Sequence, residues 1–382
     1  MTLHIVCLDG TGQQMPQANL TNIALIFKAL GGTAVAAGNG SFETTIGQGA
    51  APTQLGKYLP GVGTQSNPIL NVIAQGDGDG IAEPIVRGYT FLSRSYTPGD
   101  DIIITGFSRG AAAARALAGF VADMGLLTPT NYDPANKDEA YLRAIAAWYQ
   151  HRANDPELAN QNNLTSIQVQ TGETVPTLTP ADYVPVPAID TVAVFDTVSS
   201  LGVPTIQLGS GIGYDFSIAD TVLSPKVLNG FHALSADETR AVFAPTYWTP
   251  RAGITQVIFP GCHSNIGGGF ANTGLSDRSL TWMLANLQTR GLQFAVANLA
   301  PRVVAPNPLD YAEDDSTAGA WVLLPKSPRV FPASATNGQP DFAIDASIEQ
   351  RWGQTVTVLQ QGQPGPYKAT GLMGGNPLYA PA

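Results

Sequence analysis

Three observations predict an α/β fold with a mainly parallel central sheet and helices on both faces. Short β-branched and apolar runs recur along the chain, as in "LHIVCL" (3–8), "IDTVAVF" (189–195) and "ITQVIF" (254–259). Segments with helical apolar spacing stand between such runs, and Gly/Asp turns such as "DGTG" and "TPGD" join them. Strands that alternate with helices imply crossover units feeding a parallel sheet. At 382 residues the chain suits one large α/β core carrying insertions.

Taken in order, 3–8 is a first strand running into a tight turn. Residues 21–30, "TNIALIFKAL", follow an Asn/Thr start with helical periodicity, and "SFETTIG" alternates as a strand does. The stretch 48–80 is rich in Gly, Pro, Gln and Asn and reads as a long surface loop. Residues 81–95 read as a helix, 101–105 as a strand, and 109–126 as a helix packed by its alanines. An amphipathic helix is expected over 137–153, then a polar, Pro/Thr-rich excursion over 155–187. Residues 226–240 and 277–290 read as helices. Beyond about 300, Pro and Gly interrupt the pattern, leaving "AWVLL" (320–324) as a short strand and a helix start at Asp345. The organisation expected is a core over 1–300, with surface insertions at 48–80 and 127–188, and a C-terminal extension over 301–382 packed on it.

Charged residues make up 13% of the chain, against roughly 25% in a typical globular domain. The surface must therefore be built from Gln, Asn, Thr, Ser and Gly, a pattern of exported or surface-acting proteins. A net charge of −10 with no basic stripe excludes a nucleic-acid partner. It disfavours a static anchor on anionic lipid while leaving room for a lipid substrate. No run of 18 apolar residues is present, so no transmembrane segment is expected. "MTLHIVCLDG" lacks the basic start and long apolar region of a signal peptide and reads as a strand. The expectation is a protein cytoplasmic as synthesised, with any export using no cleaved signal peptide. The two cysteines, Cys7 and Cys262, end apolar runs and read as buried small hydrophobes, with nothing to support a bridge.

The chemistry is concentrated at "DIIITGFSRGAAAARALAGFV" (101–121). Gly106-Phe107-Ser108-Arg109-Gly110 is a G-x-S-x-G sequence between a strand and a helix, the context a nucleophile elbow demands. Flanking glycines permit the sharp turn that lifts the serine oxygen above the sheet. The plain alternative is Ser108 as a helix N-cap beside a glycine hinge, since serine is a favoured cap and a bare G-x-S-x-G arises by chance; the clear strand before it and helix after it favour the catalytic reading. A serine needs a base oriented by an acid, and in α/β-hydrolases these follow in the order Ser, Asp/Glu, His at strand ends. Of four histidines, His4 lies inside the first strand, His151 closes a helix, and His232 falls within the helical run "KVLNGFHALSADE". His263, in "PGCHSNIGGG", directly follows a strand and is the expected base. Asp196 in "TVAVFDTVSSLG" ends a strand and is the expected acid; Asp190 is at the wrong end of that strand, and Asp220 and Asp237 lie in loop or helix contexts. Oxyanion donors are expected from the N–H of Arg109 at the helix start and of Gly10 or a neighbour in "CLDGTGQ". That glycine-rich loop matches no nucleotide-binding spacing. "GDGDG" (76–80) superficially suggests a calcium loop through Asp77, Asp79 and Glu83, but the ligand spacing fails and a polar turn is expected. Serine chemistry of this kind needs neither a metal nor an organic cofactor.

The motifs "DGTG", "TNI", "YLPGVGT", "GFSRG", "FDTVSSLGVP", "SPKVLNGFHALSADETRAVFAP" and "FPGCHSNIGGGF" occur in this order. Together they resemble the α/β-hydrolase domain of type VI secretion phospholipase effectors, over residues 4 to about 295. The ending "DASIEQRW…GPYKATGL" is similar to that family's C-terminal segment. The resemblance implies a Ser108–Asp196–His263 triad and a carboxylic ester of a lipid, often a phospholipid, as substrate. It also implies a secretion-system component or an immunity protein as candidate partners. Two other readings remain: a general carboxylesterase or polymer esterase, and an inactive hydrolase-fold binding module.

Overall fold

The computed structural model describes residues 1–47, 53–61, 69–70, 80–153, 168–198, 221–300, 304–310, 312–313, 325–331, 342–357, 364–369 and 372. The chain opens with β1 (Thr2–Leu8), α1 (Asn22–Leu30), β2 (Val35–Gly38), β3 (Ser41–Ile46) and β4 (Thr53–Leu59). It continues through α2 (Ala82–Ser95), β5 (Asp101–Phe107), α3 (Arg109–Met124), β6 (Leu126–Leu127), α4 (Lys137–His151) and β7 (Tyr183–Val184). Then come β8 (Ile189–Phe195), β9 (Val227–Ser235), β10 (Ile254–Phe259), α5 (His263–Gly267), α6 (Gly274–Thr289), β11 (Ala343–Ile344) and α7 (Ala346–Arg351).

Nine strands form one sheet in the order β11-β10-β9-β8-β5-β1-β4-β3-β2. Every pairing from β11 to β4 is parallel, and the two pairings at the other edge, β4–β3 and β3–β2, are antiparallel. The mainly parallel α/β architecture read from the sequence is therefore present. Alternate residues of β1 feed opposite faces, as strand geometry requires. Val6 and Leu8 join a core with α2, α3 and α4, whereas Leu3, Ile5 and Cys7 join one with α1 and α6. A third cluster sets Phe331, Phe342, Ile348 and Tyr367 of the C-terminal segment against Leu234 and Ile258.

Local chemistry sets the helix starts. The Thr21 hydroxyl accepts from the N–H of Ala24 at the head of α1, and Asn136 accepts from Glu139 at the head of α4. Two expected elements are corrected. Residues 53–59, read as surface loop, form β4, a buried strand beside β1. Residues 226–240, read as helix, contain the nine-residue strand β9. The excursion after α3 is pinned at its base by the β6–β7 pair, and α4 within it buries Ala144, Ile145 and Trp148 in the core. Cys7 and Cys262 are both buried and unbridged. The strand expected at 320–324 lies outside the described residues. Among the described residues no helix is long and apolar enough to cross a membrane.

Candidate active site

Adjacent central strands end at the same edge of the sheet, and their carboxyl ends carry the site. β5 stops at Phe107 and α3 begins at Arg109, so Ser108 alone makes the reversal, at φ 58° and ψ −125°. This left-handed conformation is rare for a residue with a side chain and marks a constrained position. The backbone N–H of Ser108 donates to the carbonyl of Phe195 at 3.1 Å, locking the turn to the end of β8. The glycines are required sterically. A β-carbon on Gly106 would stand 2.3 Å from the carbonyl oxygen of Gly110, and one on Gly110 would stand 2.3 Å from that of Leu8. Ser108 occupies the N-cap position of α3, but its hydroxyl makes no side-chain capping bond there.

Asp196 follows β8, also at positive φ (44°), with its N–H donated to Ala233 at 2.8 Å. Its carboxylate is fully buried yet saturated with donors. The N–H of Ser235 reaches it at 2.9 Å, Nδ1 of His263 at 2.5 Å, and Nη1 and Nη2 of Arg329 at 2.5 and 2.8 Å. Burial alone would raise its pKa. The Arg329 guanidinium, with His263, overcomes that and holds the carboxyl well below the usual carboxylate range.

His263 opens α5 immediately beyond the β10 turn, where its backbone N–H donates to Glu238 at 3.2 Å. Its ring is held between Phe107 and Phe243, with centroids 4.6 and 4.8 Å away. An ionised Asp196 can only accept, so Nδ1 carries the proton and the lone pair lies on Nε2. Nε2 is buried and makes no hydrogen bond among the described residues. The imidazole thus presents a basic nitrogen on a ring that packs against the residue preceding Ser108. Glu238 in turn pairs with Arg240 at 2.7 Å, and the Arg240 guanidinium lies 3.8 Å from the Phe243 ring centre.

The loop after β1 packs on the elbow. A β-carbon on Gly10 would be 3.4 Å from Cβ of Ser108, and the Arg109 side chain donates to the Thr11 hydroxyl. The N–H of Gly10, however, donates to the Asp9 carboxylate at 2.8 Å. That carboxylate also accepts from Tyr58 at 2.6 Å and Thr21 at 2.8 Å. Burial nevertheless pushes its pKa up to about 6. Thr11, the next residue, lies exposed at the rim.

The other candidates are drawn into structural roles. His4 contacts Asp100 at 3.2 Å inside the fold, and His151 packs on Phe120. His232 is on β9, not a helix, and accepts the N–H of Thr197 at 3.1 Å. Desolvation, reinforced by Arg115, lowers its pKa to about 3 and keeps it neutral. Asp190 pairs with Arg290, and Asp237 accepts from the N–H of Gly261 and the hydroxyl of Tyr367. Asp220 lies outside the described residues, as do Asp77 and Asp79, whereas Glu83 is buried against Arg87 at 2.6 Å. Among the described residues no three His, Cys, Asp or Glu side chains cluster as metal ligands would. Sequence reasoning missed Asp9, Glu238 and Arg329. For Asp9 the signal was available, an acid fixed between a buried strand and a glycine turn; for Arg329 no local pattern gives it away.

A sequence family described as "T6SS, Phospholipase effector Tle1-like, catalytic domain" matches residues 3–286. An uncharacterized protein of Saccharomyces cerevisiae is 28% identical over 137 residues, covering 32% of this chain and 18% of its own. Among solved structures, an uncharacterized protein from Pseudomonas aeruginosa aligns with 80% of this chain and 49% of its own, at 16% identity and a TM-score of 0.40. The Tle1 effector bound to the VgrG spike of the type 6 secretion system aligns over 71% and 51%, at 19% identity and a TM-score of 0.34. The chain thus spans about half the length of each of these two structures and less than a fifth of the yeast protein.

Proposed function

We infer the reaction from one premise: this chain belongs to the Tle1-like catalytic-domain family of type VI secretion phospholipase effectors. On that basis we propose a serine hydrolase that cleaves carboxylic ester bonds of lipids, phospholipids foremost. Ser108 Oγ attacks the ester carbonyl carbon while Nε2 of His263 takes its proton. Asp196 holds the imidazole in the required tautomer and stabilises the imidazolium. The tetrahedral oxyanion is met by the N–H of Arg109 at the head of α3 and by the loop that follows Gly10. Because the N–H of Gly10 is engaged by Asp9, we assign the loop's donation to the neighbouring N–H of Thr11. Collapse expels the alcohol, which receives the proton from His263, and leaves an acyl group on Ser108. Water, deprotonated by the same imidazole, then releases the carboxylic acid and restores the serine.

The observation that supports this reading most is the 2.5 Å Asp196–His263 hydrogen bond, with the opposite imidazole nitrogen without a partner among the described residues. Family membership also makes a secretion-spike component and an immunity protein the partners to test, a VgrG spike being what the Tle1 effector was solved with. The decisive experiment is mass spectrometry of products from a mixed lipid extract, beside short- and long-chain simple esters, with the wild type and Ser108→Ala. Free fatty acid and lysophospholipid from the wild type alone are expected. Turnover retained by Ser108→Ala would remove the serine assignment, and simple-ester cleavage without phospholipid cleavage would favour a general carboxylesterase.

A further inference from the structure

The C-terminal segment lies beyond the residues matched to the family, yet one of its side chains touches the acid of the site. Arg329 is almost wholly buried and directs both terminal nitrogens at Asp196, one to each carboxylate oxygen, at 2.5 and 2.8 Å. The same nitrogens donate to the carbonyls of Ser235 at 3.0 Å and Phe243 at 2.9 Å. A two-pronged guanidinium fixes both the position and the plane of a carboxylate, which a single point charge cannot do. Phe243 also packs on the His263 ring, so Arg329 contacts the surroundings of acid and base together.

We propose that Arg329 is a positioning residue for catalysis: its fork holds Asp196 ionised and oriented toward Nδ1 of His263, so that residues 325–331 complete the active site. This rests on the serine-hydrolase reading above. Without the fork, Asp196 would be a buried carboxylate facing only the imidazole and one backbone N–H. Loss of the compensating cation would raise the pKa of Asp196, so a higher pH is needed to keep the carboxylate that orients the imidazole ionised. Among the described residues, the charged and titratable groups around the pair include His232, Glu238, Arg240 and Tyr247, and these do not replace the fork.

The test measures the second-order rate of fluorophosphonate labelling of Ser108, and of p-nitrophenyl butyrate hydrolysis, against pH in the full-length protein. Arg329→Gln, Arg329→Lys and Ser108→Ala are compared with the wild type. For Arg329→Gln the expected result is a rate about 10- to 100-fold lower at neutral pH, within the roughly 10⁴-fold loss seen when the triad acid itself is neutralised. Its acid limb should move to higher pH, and added guanidinium ion at millimolar concentration should restore part of the rate. Arg329→Lys keeps the charge and loses the fork, so its limb should stay near that of the wild type while the rate falls. If Arg329→Gln does not fold, a wild-type rate in Arg329→Lys overturns the proposal and a reduced one supports it. A wild-type profile in folded Arg329→Gln, or a reduced rate with neither limb shift nor rescue, also overturns it. A wild type that neither labels nor hydrolyses would instead sink the serine-hydrolase reading, so the two failures are distinguishable.

Discussion

Ser108 sits at φ 58°, a conformation that costs a residue bearing a β-carbon on the order of 1–3 kcal/mol. Glycine adopts it without that cost. Ser108→Gly and Ser108→Ala both remove the hydroxyl, so both should be inactive, but their stabilities should differ in an unusual direction. We expect the glycine variant to be more stable than the alanine variant by about 1 kcal/mol, the reverse of their ordinary order. Chemical denaturation checks this, and an alanine variant more stable by that margin would show that the elbow holds no strain. The serine, histidine and aspartate were readable as candidates because each follows a clear apolar strand run. Arg329 was not, since it acts across 133 residues of sequence from between a proline and a valine, with no periodicity to mark it.

One carboxylate ties the loop between β1 and α1 to its neighbours. Asp9 accepts from Tyr58 on β4, from Thr21 at the cap of α1, and from the N–H of Gly10 beside the elbow. Its folded-state pKa of about 6 lies above the ordinary value of 3.8, so the folded protein binds this proton more tightly than the unfolded chain. The associated stability is complete below about pH 3.8 and is lost as pH rises through about 6, a difference of about 3 kcal/mol. Asp9→Asn keeps an acceptor oxygen and removes the titration. The stability of the variant relative to the wild type should therefore rise by a few kcal/mol between pH 4 and pH 7 in denaturant unfolding. A difference independent of pH would contradict the burial argument. At this scale the sequence misled where polar residues sit in buried strands. β4, "TQLGKYL", carries Gln54 and Lys57 into the interior because Gln293 and Glu43 receive them, so its strand character was masked. In β9 the apolar spacing of "VLNGFHALS" fits a helix as readily as a strand buried on both faces, and only its pairing with β8 and β10 decides.

The whole chain carries a net charge of −10, so an anionic lipid surface repels it at long range. If lipid is the substrate, hydrolysis of neutral phospholipid vesicles should be nearly insensitive to salt. Vesicles enriched in anionic lipid should be cleaved more slowly at about 0.01 M salt and recover above about 0.15 M, where the screening length falls to about 8 Å. Equal rates on both vesicle types at low salt would show that local features at the site outweigh the global field. The mainly parallel sheet with helices on both faces was legible at this scale because strand and helix signals alternate along the chain. The clasp of the C-terminal segment on the site was not, because it depends on side-chain contacts between segments far apart in sequence. That clasp gives the growing polypeptide a timetable. Nucleophile, acid and base are all translated before Arg329, which follows Asp196 by 133 residues. At about 5–20 residues per second, the ribosome needs on the order of ten seconds to cover that interval. Until Arg329 has emerged, a nascent chain with the hydrolase activity proposed above would therefore work at no more than the reduced rate expected of Arg329→Gln.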